Sequence, residues 1–200
     1  MWEADISYAA EVRPAEEESQ ARRRLVAAGR LLPMPGAGGP ALHVVLVEPL
    51  IPQNTGTIGR LCVAADARLH LVGPLGFDLD DRRRRRAGLD YWPYLRWERY
   101  ADLADFLGAA APPADRSWYA TTRTGQPYGE ARFRRGDWLF FGKETEGLPL
   151  ELWADRPDRC LTIPMRPQAR SINLAIAVGI VAYEVLRQTA WPAGGPAEFS

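Results

Sequence analysis

Leu42-His43-Val44-Val45-Leu46-Val47, followed by Glu48-Pro49-Leu50-Ile51-Pro52-Gln53-Asn54-Thr55-Gly56, reads as a buried strand that turns into a helix. A strand with one wet face alternates apolar and polar residues; a nearly continuous apolar run belongs to a strand covered on both faces. The spacing beyond the turn predicts a helix over Thr55–Ala65. Working outward, the same grammar repeats. Strands are expected at Arg68–Val72, Leu95–Trp97, Ser117–Thr121, Asp137–Phe141 and Cys160–Ile163. Helices are expected at Asp80–Ala87, Ala101–Leu107 and Ile172–Thr189. Strand–helix alternation of this kind implies an α/β domain, a mainly parallel sheet flanked by helices.

Composition narrows the class. Of 200 residues, 46% are apolar and 25% charged, which excludes a wholly disordered or collagen-like chain. No apolar run approaches the ~20 residues of a bilayer span, so no membrane association is expected. Cys62 and Cys160 are the only cysteines, too few for a disulfide scaffold or a four-cysteine zinc site; no metal is expected. The first residues lack a basic-then-apolar run, so a cytoplasmic location is expected. Twenty-five basic and twenty-five acidic residues cancel, which argues against a uniformly basic nucleic-acid binder and leaves room for a local patch. All the basic residues are arginine except Lys143. Residues 1–40 read as an appendage: a short helix over Pro14–Leu32, then a Pro/Gly linker from Pro33 to Pro40. Residues 41–200 form the folded domain.

In parallel sheets ligands bind beyond the carboxyl ends of the strands, so the segments to inspect are Glu48–Arg60, Thr121–Gly125, Gly142–Gly147 and Pro164–Asn173. Each admits a plain and a functional reading. Asn54 or Thr55 can cap a helix, or help that helix terminus and Arg60 hold an anion. Gly142 and Gly147 permit a tight turn or close approach by a ligand. Glu144 is a solvated turn residue, or accepts from a ligand hydroxyl, or holds an arginine. Ser171 and Asn173 start a helix, or belong to a rigid loop that cradles a flat purine. Neither G-x-G-x-x-G nor G-x-x-x-x-G-K-[ST] is present, so the ordinary dinucleotide and P-loop readings lose their support. The run Arg82–Arg86 is a solvated face or a phosphate-binding patch. Trp92, Tyr94 and Trp97 pack internally or at a dimer contact, or stack on a base.

Glu48-Pro49, Ile51-Pro52-Gln53-Asn54-Thr55-Gly56, Arg60-Leu61-Cys62, Phe141-Gly142-x-Glu144-Thr145-x-Gly147 and Ile163-Pro164-Met165 through Ser171-x-Asn173-Leu174 together resemble the three motifs of the SPOUT methyltransferases. The match is to the compact tRNA (cytidine/uridine wobble ribose)-2′-O-methyltransferases and runs from about Leu42 to Pro192. Arg85-Arg86-Ala87-Gly88-Leu89-Asp90-Tyr91 resembles the same subfamily. The resemblance implies a C-terminal trefoil knot, a homodimer, and S-adenosylmethionine as methyl donor, leaving as S-adenosylhomocysteine. It places cofactor contacts at Ala120, Thr121, Gly142, Ile163, Met165, Ser171 and Leu174. It implies catalytic or positioning roles for Arg60, Asn54, Glu144, Ser171 and Asn173. RNA contacts with the tRNA anticodon stem-loop fall to Arg82, Arg85 and Arg86. Lys143 stands where a Pro is usual, which is expected to loosen that turn and adds a charge. Ile172 and Ala175 are conservative departures. A ribosomal RNA ribose methyltransferase of the same fold and a non-catalytic RNA-binding member are the alternatives.

Overall fold

In the computed structural model the described residues are 39–78 and 91–190. The expected appendage helix and the basic helix with Arg82, Arg85 and Arg86 lie outside them. The chain order is β1 (Leu42–Val47), α1 (Pro52–Ala64), β2 (Ala67–Val72), β3 (Arg96–Tyr100), α2 (Leu103–Ala110), β4 (Ser117–Ala120), β5 (Gln126–Pro127), β6 (Asp137–Phe141), β7 (Cys160–Thr162) and α3 (Leu174–Thr189). Short 3-10 turns connect several of these.

The strands form one sheet in the order β3-β2-β1-β6-β4-β7-β5, and every strand pairing is parallel. The chain builds outward from β1 through β2 to β3, then returns to the other side, where β6 inserts between β1 and β4. That reversal places the crevice at the carboxyl ends of β1, β6, β4 and β7, which is where such sheets bind ligands.

Several boundaries differ from the sequence expectation. Helix α1 begins at Pro52, three residues early. Pro at the first helical position loses no hydrogen bond and has its φ pre-set. Its N-cap is Ile51, with no side-chain cap, so neither Asn54 nor Thr55 plays that role. Helix α2 begins after Asp102, whose side chain accepts from Asp105 N. Strand β3 runs on to Tyr100. Its sequence, RWERY, is mostly polar because β3 is an edge strand. The two-residue β5 was not foreseen; it is too short to leave a periodicity.

Alternation divides the core. Val45 and Val47 of β1, Val72, Tyr100, Tyr119, Trp138 and Phe140 form one cluster with Phe106 of α2. Leu42, Val44 and Leu46 point to the opposite face and are fully buried. Helices α1 and α3 pack on each other; α1 also packs on β2, and α3 on β1 and β6. Both cysteines are buried, as structural thiols usually are. Trp92 and Trp97 pack edge to face at 5.3 Å, whereas Tyr94 is 76% exposed.

Candidate active site

The loops after β1, β4, β6 and β7 enclose a cavity of about 550 Å³. That is within the range of pockets that hold a nucleoside-sized ligand. Its floor is largely apolar, with Phe141, Leu161, Ile163, Leu174 and Val181. Thr121, Ser171 and Asn173 bring polar groups to its wall, and Met165 and Ala120 complete it. Every residue the resemblance assigns to the cofactor therefore lines one cavity. A flat apolar ring fits between the aliphatic side chains, and hydroxyl and backbone groups remain for its polar edge. The donor set suits S-adenosylmethionine.

Glu144 organises the cavity. One carboxylate oxygen accepts from Leu50 N at 2.9 Å. The other accepts from Ile51 N at 3.2 Å and Asn54 Nδ2 at 2.8 Å. The carboxylate so occupies the positive end of α1, supplying from another loop the cap that α1 lacks in its own sequence. Burial alone would raise the Glu144 pKa. The hydrogen bonds from Asn54, Leu50 N and Ile51 N outweigh it and hold the group below the usual carboxylate range.

Asn54 carries the connection on. It is 7% exposed, and its Oδ1 accepts from Asn173 Nδ2 at 2.9 Å. Asn173 Oδ1 in turn accepts from Ala175 N at 2.9 Å and Ile176 N at 3.4 Å, which caps α3. Of the two candidate starters for this helix, Asn173 is the cap and Ser171 is free to face the cavity. One chain of side chains, Glu144–Asn54–Asn173, thus ties the loops after β6, β1 and β7 together.

The loop after β6 is closed tightly. Gly147 N donates to Lys143 O at 3.0 Å, and Gly147 has φ +78°. A Cβ on Gly142 would lie 1.9 Å from Gly147 C and 2.1 Å from Leu148 N, so only glycine fits there. Lys143 does not loosen this turn. Its Nζ pairs with Glu48 at 2.7 Å and Glu146 at 3.3 Å. Those hydrogen bonds raise its pKa, and the added charge is neutralised locally.

Arg60 is the one proposed catalytic residue that does not line the cavity. It lies on the exposed side of α1, its guanidinium carbon 5.0 Å from the centroid of the Tyr91 ring. Tyr91 is itself fixed by donating from its hydroxyl to Gly56 O. Sequence reasoning did not single out Arg123 and Arg170, which line the cavity from the loops after β4 and β7. Their position after parallel strands was the signal available. Among the described residues no group of three or more His, Cys, Asp or Glu side chains is placed to hold a metal ion. No described helix is long and apolar enough to cross a membrane.

The SpoU rRNA Methylase family matches residues 41–183. A tRNA (cytidine(34)-2′-O)-methyltransferase of Burkholderia pseudomallei is 46% identical over 154 residues, covering 76% of this chain and 98% of that protein. A solved structure concerned with 2′-OH methylation of C/U34 on tRNA is similar at 46% identity and TM-score 0.68, over 76% of this chain and 93% of that one. An AdoMet-bound rRNA methyltransferase from Sinorhizobium meliloti is similar at 30% identity and TM-score 0.64, over 78% of this chain and 58% of that one. With a family match across most of the folded residues and a relative this similar over almost its whole length, the chain belongs to the SpoU methylase family.

Proposed function

We propose that this protein is an S-adenosylmethionine-dependent tRNA 2′-O-methyltransferase acting on the ribose of nucleotide 34, cytidine or uridine. The observation that carries it is the cavity. The three segments that resemble the family motifs converge on it through Glu144, Asn54 and Asn173. Relatives 43–46% identical carry the name tRNA (cytidine(34)-2′-O)-methyltransferase.

When bound, S-adenosylmethionine supplies a methyl group on a sulfonium. Everything else falls to the chain. A ribose hydroxyl is a weak nucleophile, so it must be aimed and its developing charge stabilised. The Glu144–Asn54–Asn173 chain holds the three loops in register for that task. Ser171 presents a hydroxyl at the cavity wall. Arg60 contributes a fixed positive charge to the RNA or the forming alkoxide; a guanidinium stays protonated, which sets it apart from a general base.

The finer features belong to the same proposal. The chain after β7 passes through the loop after β6 to form a trefoil knot. The molecule acts as a cytoplasmic homodimer on the anticodon stem-loop. The exposed apolar side chains of α3, Ile176 (58%) and Tyr183 (41%), support a paired state.

The test is methyl transfer from labelled S-adenosylmethionine to tRNA lacking modifications, with nuclease mapping of the label. Label at the 2′-O-methylated residue 34 is the expected result. Label on ribosomal RNA instead would transfer the reading to that substrate, and label on neither would leave a non-catalytic RNA binder. Arg60→Ala is expected to abolish transfer and leave cofactor affinity within twofold.

A further inference from the structure

Charge around the cavity is divided. The loops after β1 and β6 bring Glu48, Glu144 and Glu146, with Lys143 already held by two of them. The loops after β4 and β7, Thr121–Gly125 and Ile163–Asn173, contain no acidic residue. They contain Arg123, Arg166 and Arg170, all exposed, and Arg123 and Arg170 line the cavity itself.

These arginines also differ from most others in the described residues. Arg68 pairs with Glu98, Arg96 and Arg135 with Asp66, Arg116 with Asp137, and Arg187 with Glu184. The side chains of Arg123, Arg166 and Arg170 make no ion pair or hydrogen bond among the described residues. A guanidinium presents its donors in a planar fork that matches an anionic oxygen pair. Unpaired cations gathered on one rim of a cavity are groups whose partner arrives with the ligand.

We propose that the RNA backbone crosses the β4/β7 side of the cavity, with Arg123 and Arg170 gripping the phosphates beside the methylated nucleotide and Arg166 adding to the same track. The orientation follows from charge. A phosphate chain is repelled by the Glu-bearing rim and attracted by the rim that lacks acids. The inference rests on the functional reading above and adds to it an address for the RNA.

An anionic oxygen pair can come from RNA phosphate or from the cofactor's carboxylate, and the experiment separates them. Arg123→Ala, Arg170→Ala and the double variant are compared with wild type and with Arg99→Ala, a control on the far edge strand. Fluorescence anisotropy with a labelled, unmodified anticodon stem-loop RNA gives affinity at several salt concentrations, and calorimetry gives S-adenosylmethionine affinity. Each single cavity variant is expected to weaken RNA binding about tenfold, as for a lost charge-assisted contact. Each is also expected to reduce the log–log salt slope by about 0.7. Cofactor affinity, melting temperature and the Arg99→Ala protein remain as wild type. Unchanged RNA affinity and salt slope would overturn the proposal. So would a loss confined to S-adenosylmethionine binding, which would assign the arginines to the carboxylate. Methyl transfer by the wild type is measured alongside. Its absence would count against the functional reading, and the binding data, which need no turnover, would still judge the arginines.

Discussion

Two regions of the sheet each carry a hydrogen-bonded chain of polar side chains, and the two are built differently. At the carboxyl end, Glu144, Asn54 and Asn173 join three loops and a helix terminus, and polar groups are left over at the cavity wall. Across β1, β2 and β3, from His43 near the start of β1 to Tyr100 at the end of β3, the side chains bond mainly to one another. His43 Nδ1 lies 2.9 Å from His70 Nε2, His70 Nδ1 lies 3.1 Å from the Tyr100 hydroxyl, and Tyr100 donates to Glu98 at 2.5 Å. Arg68 completes it on the other Glu98 oxygen at 2.7 Å. Because Glu98 can only accept, Tyr100 must accept from His70, and His70 must then accept from His43. Every hydrogen in the row is assigned by that argument. The imidazole of His43 also stacks on Trp138 at 3.8 Å. A network bonded mainly within itself, in which Arg68 Nε is the buried atom left without a partner, specifies packing; one that leaves polar groups at an open cavity wall invites a ligand.

The sharpest way to break the carboxyl-end network is Gly142→Ala. The new methyl would fall on backbone atoms of Gly147 and Leu148, which cannot yield as a side chain would. Cofactor binding, followed by calorimetry, is expected to fall by more than about a hundredfold, equivalent to about 3 kcal/mol of loop distortion. A smaller loss would mean the loop can reopen without disturbing the site.

Glu144→Ala removes one acceptor that serves three donors. A loss of about 2 kcal/mol in stability is expected, chiefly from the buried Asn54 amide, since the bonds from Leu50 N and Ile51 N are exposed and water can replace them. Methyl transfer should fall with it. His70→Leu, in the other network, is expected to lower stability by about 1–3 kcal/mol and to leave methyl transfer within twofold. Equal losses of activity from both variants would erase the distinction between the two networks.

Acid sharpens the same contrast. Burial, then the charge of Arg68 and Arg96, lowers His43 to about 4; burial, His43 and Arg68 lower His70 to about 3. The unfolded chain therefore binds protons that the native state refuses, and stability present above pH 6.5 is lost as pH falls toward those values. About 2 kcal/mol from His70 between pH 7 and 5 is an upper bound, with less from the half-buried His43. Glu144 has the opposite sense. Its depressed pKa keeps it ionised over that interval, and its contribution fades only below the ordinary glutamate range. Urea midpoints at pH 7 and 5 should therefore separate wild type from His70→Leu and should shift alike in wild type and Glu144→Gln.

The smallest effect is expected at Lys143. Replacing it by Met breaks two partly exposed ion pairs, with Glu48 and Glu146. Solvent screens such pairs and they contribute little, so melting should shift by no more than a few degrees. A large loss would mean that the pair with Glu48 holds the loop, a role the Gly147 turn already fills.

Much of this was legible in the residues. The apolar run Leu42–Val47 announced a strand buried on both faces, and its buried side chains bear that out. Asn173 was one of two expected helix starters and is the cap of α3. What failed were positions where a distant group takes over a local task. Asn54 looks like a helix cap because its type and place fit. Glu144, 90 residues away, draws it into another bond. The expected strand Leu95–Trp97 stops three residues short of the end of β3, because an edge strand has little burial to pattern its sequence.

Local chemistry therefore determined the strands, the helices, the family motifs and the glycines, because each depends on neighbours in the chain. Which loops meet was decided only by the sheet order. Strand β6 inserts between β1 and β4, and that insertion brings Glu144 to Asn54 and Asn173. It also sorts the charges into an acidic and a basic rim, and it leaves Arg60 outside the cavity. Hydrogen bonds and fields act across a few ångströms of space, and spacing along a sequence does not measure that distance.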